Sequence, residues 1–238
     1  MSRYLQQITV SEIGKKGQNK LKNTKVLIIG AGGLGTPVAT LLGTMGVGVI
    51  GIADGDSINK SNLHRQFLYY ETEIGLLKTD VIISKLSKQN PETEFVNFPY
   101  FITEKNIQKT FTNFDIICDC TDNGQSRILI NNFCQENHLP LVYAAVKDWE
   151  GYVSILHHKN KINLEDIFSE KSLLESNTSS CEVAGIINTT CTIAGSIQAN
   201  EVLKIILDLD EQLDGQIMCF NTLNMIFKKY NILGSKTN

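Results

Sequence analysis

The chain has 238 residues, 42% hydrophobic and 20% charged, with a formal net charge of −3. It is long enough to bury a sizeable core, and it lacks the basic excess of a nucleic-acid surface. The polar start MSRYLQQITV has no apolar signal core, and the most apolar region, around residues 37–53, is broken by Pro37 and by Gly43, Gly46, Gly48 and Gly51; secretion and a membrane span are not expected, and a cytoplasmic protein is.

In chain order, apolar runs of strand length fall at KVLIIG (25–30), VGVIGIAD (47–54), EFVNFP (94–99), DIICDC (115–120) and LPLVYA (139–144). Helical stretches alternate with them at residues 34–45, 76–89, 104–111 and 126–137. Near-continuous apolar strands alternating with helices predict a parallel sheet covered on both faces. After about residue 147 the rhythm changes. GYVSILHH (151–158) reads as a strand, residues 160–180 as a long polar excursion, 187–209 as an apolar helix, and GQIMCFN with NMIFKKY as a closing hairpin. An excursion of that length is either functional or mobile. The expectation is one α/β domain over residues 1–238, a Rossmann-like, doubly wound, mostly parallel sheet with a C-terminal antiparallel extension.

Gly30, Gly32 and Gly35 form GxGxxG between the first strand and the first of these helices, and Asp54 follows the second strand. Such glycines let the backbone approach phosphates at a helix N-terminus, and the acidic residue can accept from ribose hydroxyls. Alone, the motif points most often to a nicotinamide or flavin site. No GxxxxGK[ST] is present, so ATP binding of the P-loop kind is not expected.

Three further elements shift the balance. DGDSINKSNLHRQF places Asp54, Asp56, Asn62, Arg65 and Gln66 beyond the second strand, GLLK places Lys78 at a helix start, and CDCTDN places Asp122 and Asn123 past a later strand. In an open α/β sheet these strand ends converge on the ligand crevice. Two cations and a carboxylate able to hold Mg²⁺ suit attack on a phosphate, where charge builds on phosphoryl oxygens. Hydride transfer needs no such cluster.

Arg3-Tyr4 with Gln7, GAGGLG, D-x-D, SNLHRQ, GLLK and CTDN, in this order over about residues 3–223, resemble the MoeB/ThiF adenylyltransferases, relatives of the ubiquitin-activating enzymes. The resemblance implies a homodimeric enzyme that uses ATP and Mg²⁺ to adenylate the C-terminal Gly-Gly carboxylate of a ubiquitin-like sulfur carrier (ThiS- or MoaD-like), for thiamine or molybdopterin synthesis. It implies a nucleotide-binding half to about residue 146 and a carrier-binding half with a crossover loop after it. The implied nucleotide contacts are Gly30, Gly32, Gly33, Gly35, Asp54, Asp56, Ser61, Asn62, Leu63, His64, Arg65, Gln66, Lys78, Asp122 and Asn123. Arg65, Lys78 and Asp122 are the implied catalytic residues, with Asp122 on Mg²⁺.

The chain departs from the pattern in three places. The family start R-Y-x-R-Q carries a second arginine that reaches the partner subunit's ATP; here Gln6 holds that position, and a neutral amide cannot stabilise phosphate charge as a guanidinium does. The CxxC pairs of zinc-binding members are absent, so no structural zinc is expected, and His157 and His158 read as surface residues. That absence and the short tail lean toward a thiamine-type or stand-alone member. Cys181 falls at a crossover-loop position where some members use a covalent cysteine; a spectator thiol is an equal reading, because Glu182 opposes a low pKa. Of the other cysteines, Cys118, Cys120, Cys134 and Cys191 read as small buried hydrophobes and Cys219 as a strand residue. Two competing readings stay open: an NAD-dependent oxidoreductase, favoured by GAGGLG alone, and a degenerate nucleotide-binding scaffold, favoured by Gln6 and the missing zinc ligands.

Overall fold

The computed structural model describes residues 3–175 and 185–232. Cys181 lies outside the described residues. After two short N-terminal helices, α1 (Leu5–Ile8) and α2 (Gly14–Asn23), the chain runs β1 (Lys25–Ile29), α3 (Gly35–Met45), β2 (Val49–Ala53), α4 (Lys78–Gln89), β3 (Glu94–Phe98), α5 (Ile107–Phe111), β4 (Ile116–Asp119), α6 (Gly124–Glu136) and β5 (Leu141–Lys147). There follow β6 (Glu150–Leu156), α7 (Glu170–Glu175), α8 (Asn188–Leu207), β7 (Gln216–Asn221) and β8 (Ile226–Asn231).

All eight strands join one sheet, in the order β3-β2-β1-β4-β5-β6-β7-β8. The first five are parallel, and β6, β7 and β8 extend the same sheet antiparallel. The expected architecture is the observed one. Cores lie on both faces: Val26, Ile28, Val38 and Val202 on one, Leu27, Ile117, Phe111 and Ile130 on the other. Each of these side chains is fully buried. Such strands must be apolar on both sides, which is why they read as continuous runs rather than alternating ones.

Helix α8 crosses α3 closely because Gly195 has no Cβ; one there would meet Pro37 and the Leu34 carbonyl oxygen. Helix α2 was not legible in its lysine-rich sequence; it docks through buried Gly17 and Leu21. The N-terminal motif is architectural. The Tyr4 ring sits against Gly46, its hydroxyl accepts from Asn90 Nδ2 (2.8 Å), and Gln7 Nε2 donates to the Met45 carbonyl (2.9 Å). That carbonyl is one that the end of α3 leaves without a helical partner. Gln6 is exposed.

The excursion is less polar than its composition: Ile162, Leu164 and Leu173 are buried. The surface reading of His157 is corrected. It is 9% exposed, and its Nε2 lies 2.8 Å from Asn131 Oδ1. Burial lowers its pKa to about 4, with Asp166 opposing. The unfolded chain therefore takes up a proton near pH 6.5 that the folded chain refuses until about pH 4. Stability should fall as pH drops across that window, by about 3 kcal/mol at full shift. Urea melts at several pH values check this, and His157→Gln should show a flatter slope; parallel slopes would contradict it.

Candidate functional site

Strand order reverses between β1 and β4, with β2 and β3 to one side and β4 and β5 to the other. Open α/β sheets bind ligands at the carboxyl ends of such strands. A cleft of about 1080 Å³, counting its open mouth, lies there.

The glycine turn after β1 forms one wall, and its glycines do two different jobs. Gly30 has φ +100° and its Cβ would lie 2.6 Å from the Cys120 carbonyl oxygen, while a Cβ on Gly35 would overlap the Gly30 carbonyl oxygen. These two let strand and helix meet. Gly32 and Gly33 instead line the cleft, and a Cβ on Gly32 would meet only Gln66 Nε2, at 3.4 Å. A Cβ there would project into the cleft.

Asp54 is 8% exposed at the end of β2 and holds the turn rather than standing free: Oδ2 accepts from Ala31 N–H (2.7 Å) and Oδ1 from Asp56 N–H (2.7 Å). Burial raises its pKa, while Lys78 and these two donors pull the other way. Tyr69, not singled out in the sequence, donates its hydroxyl to the Ala31 carbonyl (2.8 Å), so Ala31 is fixed at both its N–H and its C=O. A buried tyrosine near an apolar run was the available signal.

Lys78 begins α4 with its ammonium 2.7 Å from Asp56 Oδ2. The lysine side chain is 5% exposed, and the aspartate 54%. A buried ammonium needs such a partner. Arg65 lines the cleft and donates through Nη1 to the Ser61 carbonyl (3.2 Å), with His64 Nε2 at 3.0 Å. Asn62 and Gln66 line the same wall, and the Gln66 Oε1 is buried with no hydrogen-bond partner among the described residues.

The third contribution follows β4. Asp122 and Asn123 line the cleft, and Asn123 Oδ1 caps α6 by accepting from Ser126 N–H (2.9 Å). The structure thus brings Gly30, Gly32, Gly33, Asp54, Asp56, Asn62, Arg65, Gln66, Lys78, Asp122 and Asn123 to one cleft. It does not bring the rest: Gly35 sits behind the turn, Leu63 packs on the core, and Ser61 and His64 touch Arg65.

Sequence reasoning missed Arg127, which lines the cleft although it is 8% exposed, and the fully buried Asp119. For Asp119 the signal was an ionisable residue inside an apolar run; Arg127 follows the polar stretch 123–126 and gave none. Cys191 is 2% exposed as expected, yet it reaches the cleft against Gly33; burial pushes its thiol up to about 11, with Arg65 opposing. Phe101, 60% exposed, Ile102 and Ile186 supply apolar walls. Among the described residues no cluster of three or more His, Cys, Asp or Glu is placed to hold a metal ion.

Known proteins are similar to this chain in sequence and in fold. A probable molybdopterin-synthase adenylyltransferase of Gracilaria tenuistipitata var. liui is 34% identical over 231 residues, covering 97% of this chain and 64% of that protein. The adenylyltransferase and sulfurtransferase MOCS3 of Caenorhabditis briggsae is 38% identical over 219 residues, covering 92% of this chain and 54% of that protein. The chain thus spans about half to two thirds of the length of these curated relatives. Among solved structures, E. coli MccB with succinimide superposes with a TM-score of 0.81 at 25% identity, covering 92% of this chain and 67% of that one. PaaA superposes with a TM-score of 0.80 at 21% identity, covering 97% and 72%. The sequence profile of the ThiF family matches residues 4–238, and the chain belongs to that family.

Proposed function

We propose that the chain is an adenylyltransferase that uses ATP and Mg²⁺ to activate the C-terminal Gly-Gly carboxylate of a ubiquitin-like sulfur carrier. The observation that carries the reading is the meeting, in one cleft, of a glycine cradle, two cations and Asp122. The fit to ATP rests on the cradle that a Cβ on Gly32 would fill and on the buried, unpartnered Gln66 Oε1 beside it. Gly32 and Gly33 leave room for phosphates, Asp54 holds the turn beside the ribose, and Lys78 with Arg65 faces the triphosphate. Bound Mg²⁺ would neutralise phosphate charge, and Asp122 is the residue that would hold it. The carrier carboxylate attacks the α-phosphate, pyrophosphate leaves, and an acyl adenylate forms. The chain's part is positioning and charge stabilisation, since neither reactant needs a protein nucleophile.

The names of the curated relatives favour a MoaD-like carrier and molybdopterin synthesis over a ThiS-like carrier and thiamine. We place the reaction in the cytoplasm and expect a homodimer; among the described residues no helix is long and apolar enough to cross a membrane. Cys181 is kept as a candidate for later covalent chemistry with the carrier.

The test is ATP–pyrophosphate exchange by the purified protein with Mg²⁺, across the source organism's small proteins ending in Gly-Gly. Exchange with one carrier is expected, and it names the pathway. Tight NADH binding without exchange would return the chain to the oxidoreductase reading. ATP binding with silence toward every carrier would favour the scaffold, with Gln6→Arg as the variant to try next.

A further inference from the structure

The gap between the carboxyl ends of β4 and β5 is bridged by side chains that no part of the proposed chemistry uses. The two strands pair only from Ile117 to Asp119 on the β4 side. At the end of that pairing, Gln198 from α8 donates to the carbonyls of Asp119 (2.9 Å) and Val142 (2.7 Å). Arg127 from α6 donates through Nη1 to the Ala144 carbonyl (3.0 Å) and through Nη2 to the Thr121 carbonyl (2.6 Å), with its guanidinium 4.8 Å from the Tyr143 ring centre.

Thr121 is held from the other end as well. Asp119 Oδ1 accepts both its N–H (2.9 Å) and its hydroxyl (2.6 Å). Asp119 is fully buried, and its Oδ2 has no hydrogen-bond partner among the described residues. All three hydrogen-bonding groups of Thr121 are therefore engaged, one residue before Asp122, and Asn123 is fixed on the far side as the cap of α6. Burying a carboxylate and a guanidinium is costly, and apolar residues of similar volume would often serve stability as well or better. Their yield here is geometric: the backbone entering Asp122 is held by hydrogen bonds at the Thr121 N–H and C=O.

We propose that Asp119, Thr121 and Arg127 are positioning residues that clamp the backbone ahead of Asp122, so that its carboxylate meets the nucleotide at a fixed place. The proposal rests on the adenylation reading for its kinetic consequence and on geometry alone for the clamp. Three variants test it in the full chain. Thr121→Val removes the hydroxyl and keeps the shape, Thr121→Ser restores the hydroxyl, and Arg127→Met removes the second hold.

The clamp predicts faster hydrogen exchange across residues 120–124 in Arg127→Met, with protection elsewhere unchanged. Kinetically, Thr121→Val should lower kcat for exchange by roughly tenfold or more, the share of one hydrogen bond to a charged group. Half-saturation by Mg²⁺ should rise, KM for ATP should hold, and Thr121→Ser should behave as wild type. Unchanged loop exchange in Arg127→Met overturns the clamp whatever the activity. Wild-type kcat and Mg²⁺ dependence in Thr121→Val overturn its role in the reaction. A wild-type protein silent with every carrier counts against adenylation instead, and the hydrogen-exchange result still judges the clamp.

Discussion

Lys78→Ala and Asp122→Ala are each expected to lower carrier-dependent ATP–pyrophosphate exchange by about a hundredfold or more, the scale on which removing one fixed charge or donor from a preorganised site is felt. The two losses differ in kind. The Lys78 ammonium is aimed from the first residue of α4 and tied at 2.7 Å to Asp56, whose own side chain is half exposed. Removing it deletes a cation in the cleft and leaves Asp56 unpaired, so the fall should appear in both kcat and KM for ATP. Lys78→Arg should not rescue, because the planar fork does not reproduce a compact ammonium in a pocket this closed. Asp122 lies at the other wall, after β4, and its loss should leave metal-free ATP binding intact while abolishing the response to Mg²⁺. Single-turnover rates with binding titrations, run with and without Mg²⁺, separate the two. Exchange within tenfold of wild type in Lys78→Ala would remove the lysine from the reaction.

Most of the fold was legible in the sequence because its strands are buried on both faces and so stand out as unbroken apolar runs. The hairpin Gln216–Asn221 and Ile226–Asn231 was legible as two strand-length runs flanking a turn, although every residue of β8 is exposed. Helix α2 was not, because only Gly17 and Leu21 of its ten residues are buried, too few to mark a stripe. At the site, residues that face the cleft declared themselves by type and order, as Asp54, Lys78 and Asp122 did. Residues that hold those in place did not. Tyr69 and Arg127 act through bonds to the carbonyls of Ala31 and Ala144, in segments distant in the chain, and no spacing rule encodes such partners; Asp119 acts locally, on the Thr121 N–H two residues on. The motif SNLHRQ shows the converse limit: Asn62, Arg65 and Gln66 reach the cleft, while Leu63 packs inward on the core.

The four glycines of the first turn give the sharpest separation of folding from binding. Gly35→Ala should prevent stable folding, since its Cβ would overlap the Gly30 carbonyl oxygen, a backbone atom that cannot swing aside. Relief requires moving α3 off β1, and with it the packing of Val38, Leu42 and Ala39, all fully buried. Losing even one large buried side chain's packing costs about 2–5 kcal/mol, a large part of a typical domain's 5–15 kcal/mol. Gly32→Ala should do the opposite. Its φ is not in the left-handed region, and the added methyl meets only the end of the Gln66 side chain at 3.4 Å. The melting temperature should therefore stay near that of wild type, while the methyl stands in the space a phosphate would occupy and ATP binding falls steeply. Thermal melts and ATP titrations on both variants read the two effects independently. A Gly32→Ala protein that melts normally and binds ATP normally would show that the cradle, and with it the proposed nucleotide site, is wrongly placed.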